Sequence, residues 1–346
     1  MQLLAFASSL PRMFLTLCLL VMACIVHAGE TLRILAWDGY ADDDLAKAFE
    51  QRYGVTVEVT YVNSDDDLWY KINHAAFDVF AVNTAELQRY IDKELVLPIE
   101  LEHIPNHIRQ LPRFQNLSAI AGIMRDGKVY AVPYTYSEMG LIYNRKLVKN
   151  PPDSMAAMWD PNYRGQVLAF NTSNHNFSIA GLLMPGANPF ALNEAELKTA
   201  ARELVNLRRN VLTFYATADE AAQLFTRYDI ALVFANYGSQ QIKALKDAGA
   251  DIGYIIPKEG ALAWLDCWAI TPEARNKVLA ERWINYTLEQ TVSERLTASH
   301  GLANTITPFP DSRHSDKIIW LQPLQEPLKR KQLWDRIISG DVPESF

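Results

Sequence analysis

The sequence predicts an α/β protein of two lobes around a cleft. Short apolar, β-branched runs alternate with segments of helical periodicity from about residue 30 onward, which is the pattern of βαβ units. The chain has 346 residues, of which 49% are hydrophobic, and this is enough for two domains with separate cores. Two extended stretches, near Pro133 and near Pro257, indicate where the chain leaves the first lobe and where it returns.

Residues 1–28 have the layout of a secretory signal peptide. Arg12 is followed by an uncharged apolar run, and Val26-His27-Ala28 places small side chains around a cleavable bond. The run is shorter than a membrane-spanning helix requires. Removal of this segment would make the mature protein periplasmic. A second route stays open, in which a lipobox-like sequence ending at Cys24 leaves a lipid-anchored terminus, although Met22 fits that motif poorly.

The first α/β set follows directly. Each of the two aspartate triplets, 42–44 and 65–67, stands where a helix begins, because acids in a first turn oppose the helix dipole. The strands are predicted at 32–36, 55–61 and 77–82, and the helices at 43–53, from 65 onward and at 85–93.

A second α/β set begins after the stretch Ala131–Tyr136. It comprises strands at 140–144, 230–235, 252–256 and 263–270 and helices at 194–209, 219–228, 240–247, 274–288 and 290–299. We therefore expect one lobe from 30–136 plus 261–305 and the other from 137–260 plus 306–346.

Charge and motifs exclude several classes of function. The net charge of −7 argues against a nucleic-acid partner and is compatible with a cationic ligand. Nucleophile-elbow, zinc-protease, P-loop and dinucleotide-binding motifs are all missing from the sequence. His103 and His107 have a helical spacing, but Pro105 between them argues against a regular helix that presents both to a metal. We expect a monomeric binding protein without cofactor, metal or catalytic activity.

The apolar strand near residue 265 carries the clearest candidate site. Alternate side chains of a strand share a face, so Trp264 and Asp266 point one way while Leu265 and Cys267 point the other. An aromatic ring beside a carboxylate suits an alkylammonium group, through cation–π attraction and a charge-assisted hydrogen bond. The alternative is a core tryptophan beside an aspartate satisfied by backbone groups.

The sequence resembles the periplasmic spermidine/putrescine-binding proteins, which are type II solute-binding proteins of ABC importers. The segments that carry the resemblance are 35–40 (LAWDGY), 77–84 (FDVFAVNT), 132–134 (VPY), 158–165 (MWDPNYRG) and 257–266 (PKEGALAWLD). The resemblance implies hinged lobes, a small amine-bearing ligand and a membrane permease as partner. A membrane sensor as the partner, without transport, is the alternative.

Site residues follow from the same matching. The resemblance implies that Trp264 and Asp266 hold a ligand amine. Other candidate ligand-binding residues, at strand ends and in matching segments of both lobes, are Trp37, Asp38, Tyr40, Asn83, Thr84, Tyr136, Phe234 and Tyr237.

The segment Phe170–Phe177 departs from the family pattern. Polyamine binders carry carboxylates there for a second amine, whereas this chain offers Thr172 and His175. Hydroxyl, amide and imidazole groups before a helix suit an anion. The departure favours an ω-amino acid such as 4-aminobutyrate or 5-aminopentanoate. Asp38 could restore a second cation site, so putrescine or spermidine remains the alternative.

Overall fold

The computed structural model describes residues 30–308 and 317–346, so the predicted signal peptide and Cys24 lie outside the described residues. The strands are β1 (Thr31–Trp37), β2 (Thr56–Val62), β3 (Val79–Asn83), β4 (Met124–Arg125), β5 (Lys128–Val129), β6 (Ala131–Met139), β7 (Leu141–Asn144), β8 (Val167–Phe170), β9 (Val211–Tyr215), β10 (Leu232–Phe234), β11 (Ile252–Ile255), β12 (Ala261–Ile270), β13 (Ala303–Asn304) and β14 (Ile318–Trp320). The helices are α1 (Asp43–Tyr53), α2 (Asp65–His74), α3 (Thr84–Asp92), α4 (Pro112–Gln115), α5 (Ser173–Leu182), α6 (Glu194–Asn210), α7 (Ala218–Arg227), α8 (Ser239–Asp247), α9 (Lys277–Thr287), α10 (Gln290–His300) and α11 (Pro327–Ser339).

The first lobe is built on a seven-stranded mixed sheet within the described ranges. Its order is β13-β6-β12-β3-β1-β2, and β14 pairs with β12. The strands β2, β1 and β3 are parallel, as the βαβαβ pattern predicted, whereas β12 runs antiparallel to β3 and β6. Apolar clusters cover both faces of this sheet, and one of them includes Trp268 and Trp283.

The second lobe contains a five-stranded sheet in the described part of the chain, with the order β11-β7-β10-β8-β9. The pairs β10–β8 and β8–β9 are parallel, and β7 runs antiparallel to both of its neighbours. Helices α5, α6 and α11 pack together on one face of this lobe.

The chain passes between the lobes at the end of β6 and again before β12. β6 belongs to the first sheet, and Gly140 separates it from β7 of the second sheet. Later, β14 pairs with β12, while α11 packs on α5 and α6 of the second lobe. The division of the chain at residues 136, 260 and 305 stays a prediction.

The side chains of the candidate strand β12 alternate between the two faces of the sheet, as the sequence predicted. In β12, Leu265 and Cys267 pack in the cluster on one face, and Trp264 and Trp268 pack with the cluster on the other. A bulge between Asp266 and Cys267 disturbs the pairing with β6 at this point. No helix of the described ranges has the length and apolar character needed to cross a bilayer.

Candidate functional site

A cleft of about 1030 Å³ separates the two lobes. The carboxyl ends of β1 and β3, the strand β12 and the helices α3 and α10 contribute residues from the first lobe, and α5, α7, α8 and the segment 321–327 face them. Seven carboxylate side chains of the described residues line the cleft: Asp38, Asp65, Glu86, Asp92, Asp219, Asp247 and Asp266. One arginine and one lysine of the described ranges line it as well, and each is paired, Arg89 with Glu86 and Lys243 with Asp247. The cleft is therefore strongly acidic.

Asp266 is the most buried of these carboxylates, with 7% of its surface exposed. The hydroxyl of Tyr40 donates to Oδ2 at 2.6 Å, and Nδ2 of Asn83 donates to Oδ1 at 3.0 Å. Asn83 faces Asp266 directly in the β12–β3 register. No basic side chain pairs with Asp266 among the described residues. Burial raises its pKa to about 6, and the two hydrogen bonds oppose that rise.

Aromatic side chains line the same cleft as this carboxylate, and Tyr40 contacts it. Trp37 and Trp264 line the cleft and are half-buried. Burial and the charge of Asp266 raise the pKa of Tyr40 well above its ordinary value, so its hydroxyl remains a donor. Tyr134 fixes Tyr40 in turn, through an edge-on ring contact and a hydrogen bond to its carbonyl oxygen at 3.1 Å. The arrangement is a preorganised carboxylate with aromatic walls, which suits an ammonium group.

The facing wall, in the second lobe, is neutral and polar. Nδ1 of His175 lies 2.6 Å from Oδ1 of Asn236 and donates to it. Burial lowers the pKa of His175, so the imidazole is uncharged near pH 7. Tyr237 lines the cleft beside them, and its hydroxyl donates to the carbonyl of Ala216 at 2.7 Å. Nε1 of Trp264 reaches the carbonyl of Asn236 at 3.4 Å, which links the two walls.

Eight of the twelve predicted ligand-binding residues line the cleft. They are Trp37, Asp38, Tyr40, Asn83, His175, Tyr237, Trp264 and Asp266. This common location is a property of the fold, and their contact with a ligand remains a prediction.

The other four predicted residues do not line the cleft. Tyr136 pairs with Leu265 and shares its face of the sheet, where it packs against the rings of Phe114 and Trp320. Phe234 lies fully buried in the core of the second lobe. Thr84 is buried as the first residue of α3, behind its N-cap Asn83, and Thr172 is the N-cap residue of α5. For Thr84, the preceding residue Asn83 lines the cleft and caps the helix instead.

Sequence reasoning missed several cleft residues. Asp65 was interpreted only as a helix-start residue, yet it also lines the cleft, where burial and the charges of Glu86 and Asp266 raise its pKa. Asp219 lines the opposite wall from the first turn of α7. Asn236 follows the buried strand β10, and polar residues directly after buried strands are a usable signal for ligand sites. The same signal had already selected Asn83.

Binding of an ammonium ligand should weaken as the pH falls. Protonation of Asp266 removes the negative charge, and with a pKa of about 6 the ionised fraction falls steeply below that pH. We expect an affinity roughly tenfold lower at pH 5 than at pH 7.5. Calorimetry in buffers of different ionisation enthalpy would measure both the affinity and the protons released. An affinity that is constant over this range would contradict the assignment of Asp266 as the ammonium partner.

Comparisons with known proteins agree with this geometry. Residues 44–320 match the family model described as bacterial extracellular solute-binding protein. The spermidine/putrescine-binding periplasmic protein 1 of Haemophilus influenzae is 26% identical over 279 residues, which cover 79% of this chain and 75% of that protein. It is a binding protein by name, as the sequence resemblance predicted.

Solved structures share the fold. A putative spermidine/putrescine ABC transporter from Listeria monocytogenes superposes with a TM-score of 0.74 at 23% identity, covering 90% of this chain and all of that one. The Atu4243-GABA receptor superposes with a TM-score of 0.69 at 17% identity, covering 89% of this chain and 97% of that one. These likenesses confirm the two-lobed binding-protein fold, and the family match over most of the chain confirms that it is not an enzyme. The chain belongs to the bacterial extracellular solute-binding protein family.

Proposed function

We propose that this protein captures a short aliphatic primary amine in the periplasm and delivers it, as a monomer, to the permease of an ABC importer. The observation that carries the proposal is Asp266, a buried carboxylate without a basic partner in the described ranges, held by Tyr40 and Asn83 inside a cleft. An isolated buried charge is costly, and a ligand ammonium would supply the missing counter-charge.

The walls around Asp266 explain why the ligand should be an alkylammonium rather than a metal ion. Trp37 and Trp264 offer aromatic faces that attract a cation and also cover methylene groups. No group of three or more potential metal ligands is present among the described residues. Tyr40 and Asn83 each donate one hydrogen bond to Asp266, so further lone pairs of this carboxylate are available to an ammonium.

Two ligand classes fit this ammonium end. The name of the Haemophilus relative and the acidic cleft, with Asp38 and Asp219 on facing walls, support a diamine or polyamine. The segment Phe170–Phe177, which contains no carboxylate, supports an ω-amino acid, and a protein of the same fold is named a GABA receptor. We favour the ω-amino acid.

Ligand bound between the walls should shift an open-to-closed equilibrium, because contacts to both lobes form only in the closed state. Trp264 is suited to this coupling. Its ring packs with the cores of both lobes, and its Nε1 already contacts the second-lobe residue Asn236. A permease that recognises the closed form would then accept loaded protein only. A sensor partner would use the same closure without transport.

A thermal-shift screen tests the proposed function. Diamines, polyamines, ω-amino acids and α-amino acids would each be added to the purified protein, and hits would be measured by calorimetry. A ligand at a hundred times its dissociation constant stabilises the native state by about 2.7 kcal/mol, so a specific amine should raise Tm measurably. The proposal would be overturned if no aliphatic amine raised Tm while neutral or purely anionic solutes did.

A further inference from the structure

Arg330 of α11 is a buried cation that pairs with no acidic side chain among the described residues. Its side chain is fully buried in the second lobe, and its Nη atoms contact the neutral acceptors Ser178 Oγ at 3.2 Å and the Pro189 carbonyl at 2.9 Å. Its Nε has no hydrogen-bond partner in the part of the chain that the structure describes. Burial lowers the pKa of Arg330 to about 10, so it keeps its charge at neutral pH. A buried guanidinium without a carboxylate is unfavourable unless some other group supplies negative charge.

This charge lies immediately behind the cleft. Ser178, which accepts the hydrogen bond from Arg330, is itself a cleft-lining residue of α5. His175, three residues earlier on the same helix, lines the cleft too. Residues three apart lie on the same face of a helix. Arg330 therefore contacts α5 on the face that borders the cleft.

The same wall offers unused hydrogen-bond donors. Asn236 lines the cleft with only 5% of its surface exposed, and its Oδ1 already accepts the bond from His175. Its Nδ2 group makes no hydrogen bond to any described residue and can only donate. The first turn of the ten-residue helix α5 has no side-chain cap, and Asn174 and His175 of that turn line the cleft.

We propose that this wall is a carboxylate subsite, formed by the amide of Asn236 and the first turn of α5 and backed by the charge of Arg330. The inference rests on the proposed function, because it concerns the second end of a ligand whose ammonium lies on Asp266. It assigns the ligand to the ω-amino acids. His175 is neutral, so the positive charge of the subsite comes from Arg330 and from the helix terminus.

The remaining acids of the cleft do not oppose this assignment. Asp247 is paired with Lys243, Glu86 with Arg89 and Asp92 with Arg125. Asp65 belongs to the first-lobe wall, and Asp38 and Asp219 have exposed side chains. Exposed charges are screened by water and salt, whereas the field of a buried charge is screened much less. Arg330 should therefore have the larger effect on a desolvated ligand end, although it does not touch the ligand.

Three four-carbon ligands separate the two ends of the site. Butylamine has the ammonium only, putrescine adds a second ammonium, and 4-aminobutyrate adds a carboxylate. Calorimetry on the full-length mature protein should show that 4-aminobutyrate binds more tightly than either amine. Arg330→Met should lower the affinity for 4-aminobutyrate by roughly tenfold, the effect of one unit charge at moderate distance, and should spare butylamine. Arg330→Lys should restore most of the preference because it keeps the charge.

A matched control is Arg208→Met. Within the described ranges Arg208 also donates only to carbonyl oxygens, those of Ile337 and Gly340, but it contacts the far end of α11. This variant should leave the affinity ratio of the three ligands unchanged. The carboxylate subsite is overturned if wild-type protein prefers putrescine, or if Arg330→Met weakens all three ligands equally, as a purely structural role would. If none of the three binds, the proposed function itself fails.

Discussion

Replacing Asp266 by asparagine should lower the affinity for the amine ligand at least about a hundredfold. Leaving an ammonium unpaired in a buried site costs about 3 to 5 kcal/mol, and each 1.4 kcal/mol corresponds to a factor of ten in the dissociation constant. Asparagine keeps the shape of the side chain and one acceptor oxygen but removes the charge. Isothermal calorimetry with the best ligand from the thermal-shift screen measures the loss directly.

A measurement of the stability of Asp266→Asn distinguishes a loss of ligand affinity from misfolding. The folded-state pKa of Asp266 lies above that of an unfolded aspartate, so ionisation of Asp266 destabilises the native state as the pH rises from about 4 to 6. The neutral Asp266→Asn variant should therefore be at least as stable at pH 7 as the wild type without ligand. Asp251→Asn, on an exposed pair with Arg145, serves as the control and should bind normally. Wild-type affinity in Asp266→Asn would disprove the amine assignment.

Gly238→Ala should destabilise the protein by about 2 to 4 kcal/mol, through backbone strain and overpacking. Gly238 precedes α8 with φ of 48° and ψ of −116°, a conformation that L residues rarely adopt. A Cβ atom there would lie 1.8 Å from Ser137 Oγ and 2.7 Å from the Glu138 carbonyl. Both neighbours belong to β6, just before the chain enters the second lobe. Urea denaturation followed by circular dichroism would give the change in the free energy of unfolding.

Gly249→Ala is the control for this clash. Gly249 also has a positive φ, 78°, but a Cβ atom there meets nothing within 4 Å. Its substitution should cost only the left-handed backbone strain, about 1 to 2 kcal/mol. Equal losses in the two variants would show that the contact with Ser137 does not limit packing between β6 and α8.

The sequence predicted the architecture well because the architecture follows from local signals that recur along the chain, namely strand alternation and helical periodicity. Alternation along β12 correctly separated Asp266 from Leu265, and strand ends correctly selected Asp38 and Asn83 as cleft residues. Phe234 and Tyr136 show the limit of that reasoning. Matching a segment to a family assigns a role by sequence position, whereas the register and packing of the whole sheet decide whether that position faces the cleft or an apolar core.

Arg330 could not be found from the sequence. An arginine in an amphipathic helix such as α11 is ordinarily exposed, and its burial arises only because α11 returns to pack against α5. Asp219 was missed for a related reason. An acid in the first turn of a helix is already explained by its favourable interaction with the helix dipole. Nothing in the sequence therefore suggests that two helix starts, at Asp65 and Asp219, border the same cleft.

The alternation of β12 also constrains how this binding site can evolve. Cleft-facing Trp264 and Asp266 are interleaved with Leu265 and Cys267, which are buried in the opposite cluster. A one-residue insertion or deletion within β12 would move the carboxylate into an apolar core and a leucine into the cleft, so neither function nor folding would survive. Ligand preference can therefore diverge among descendants by point substitution, chiefly in the second lobe, while the length of β12 must be inherited unchanged.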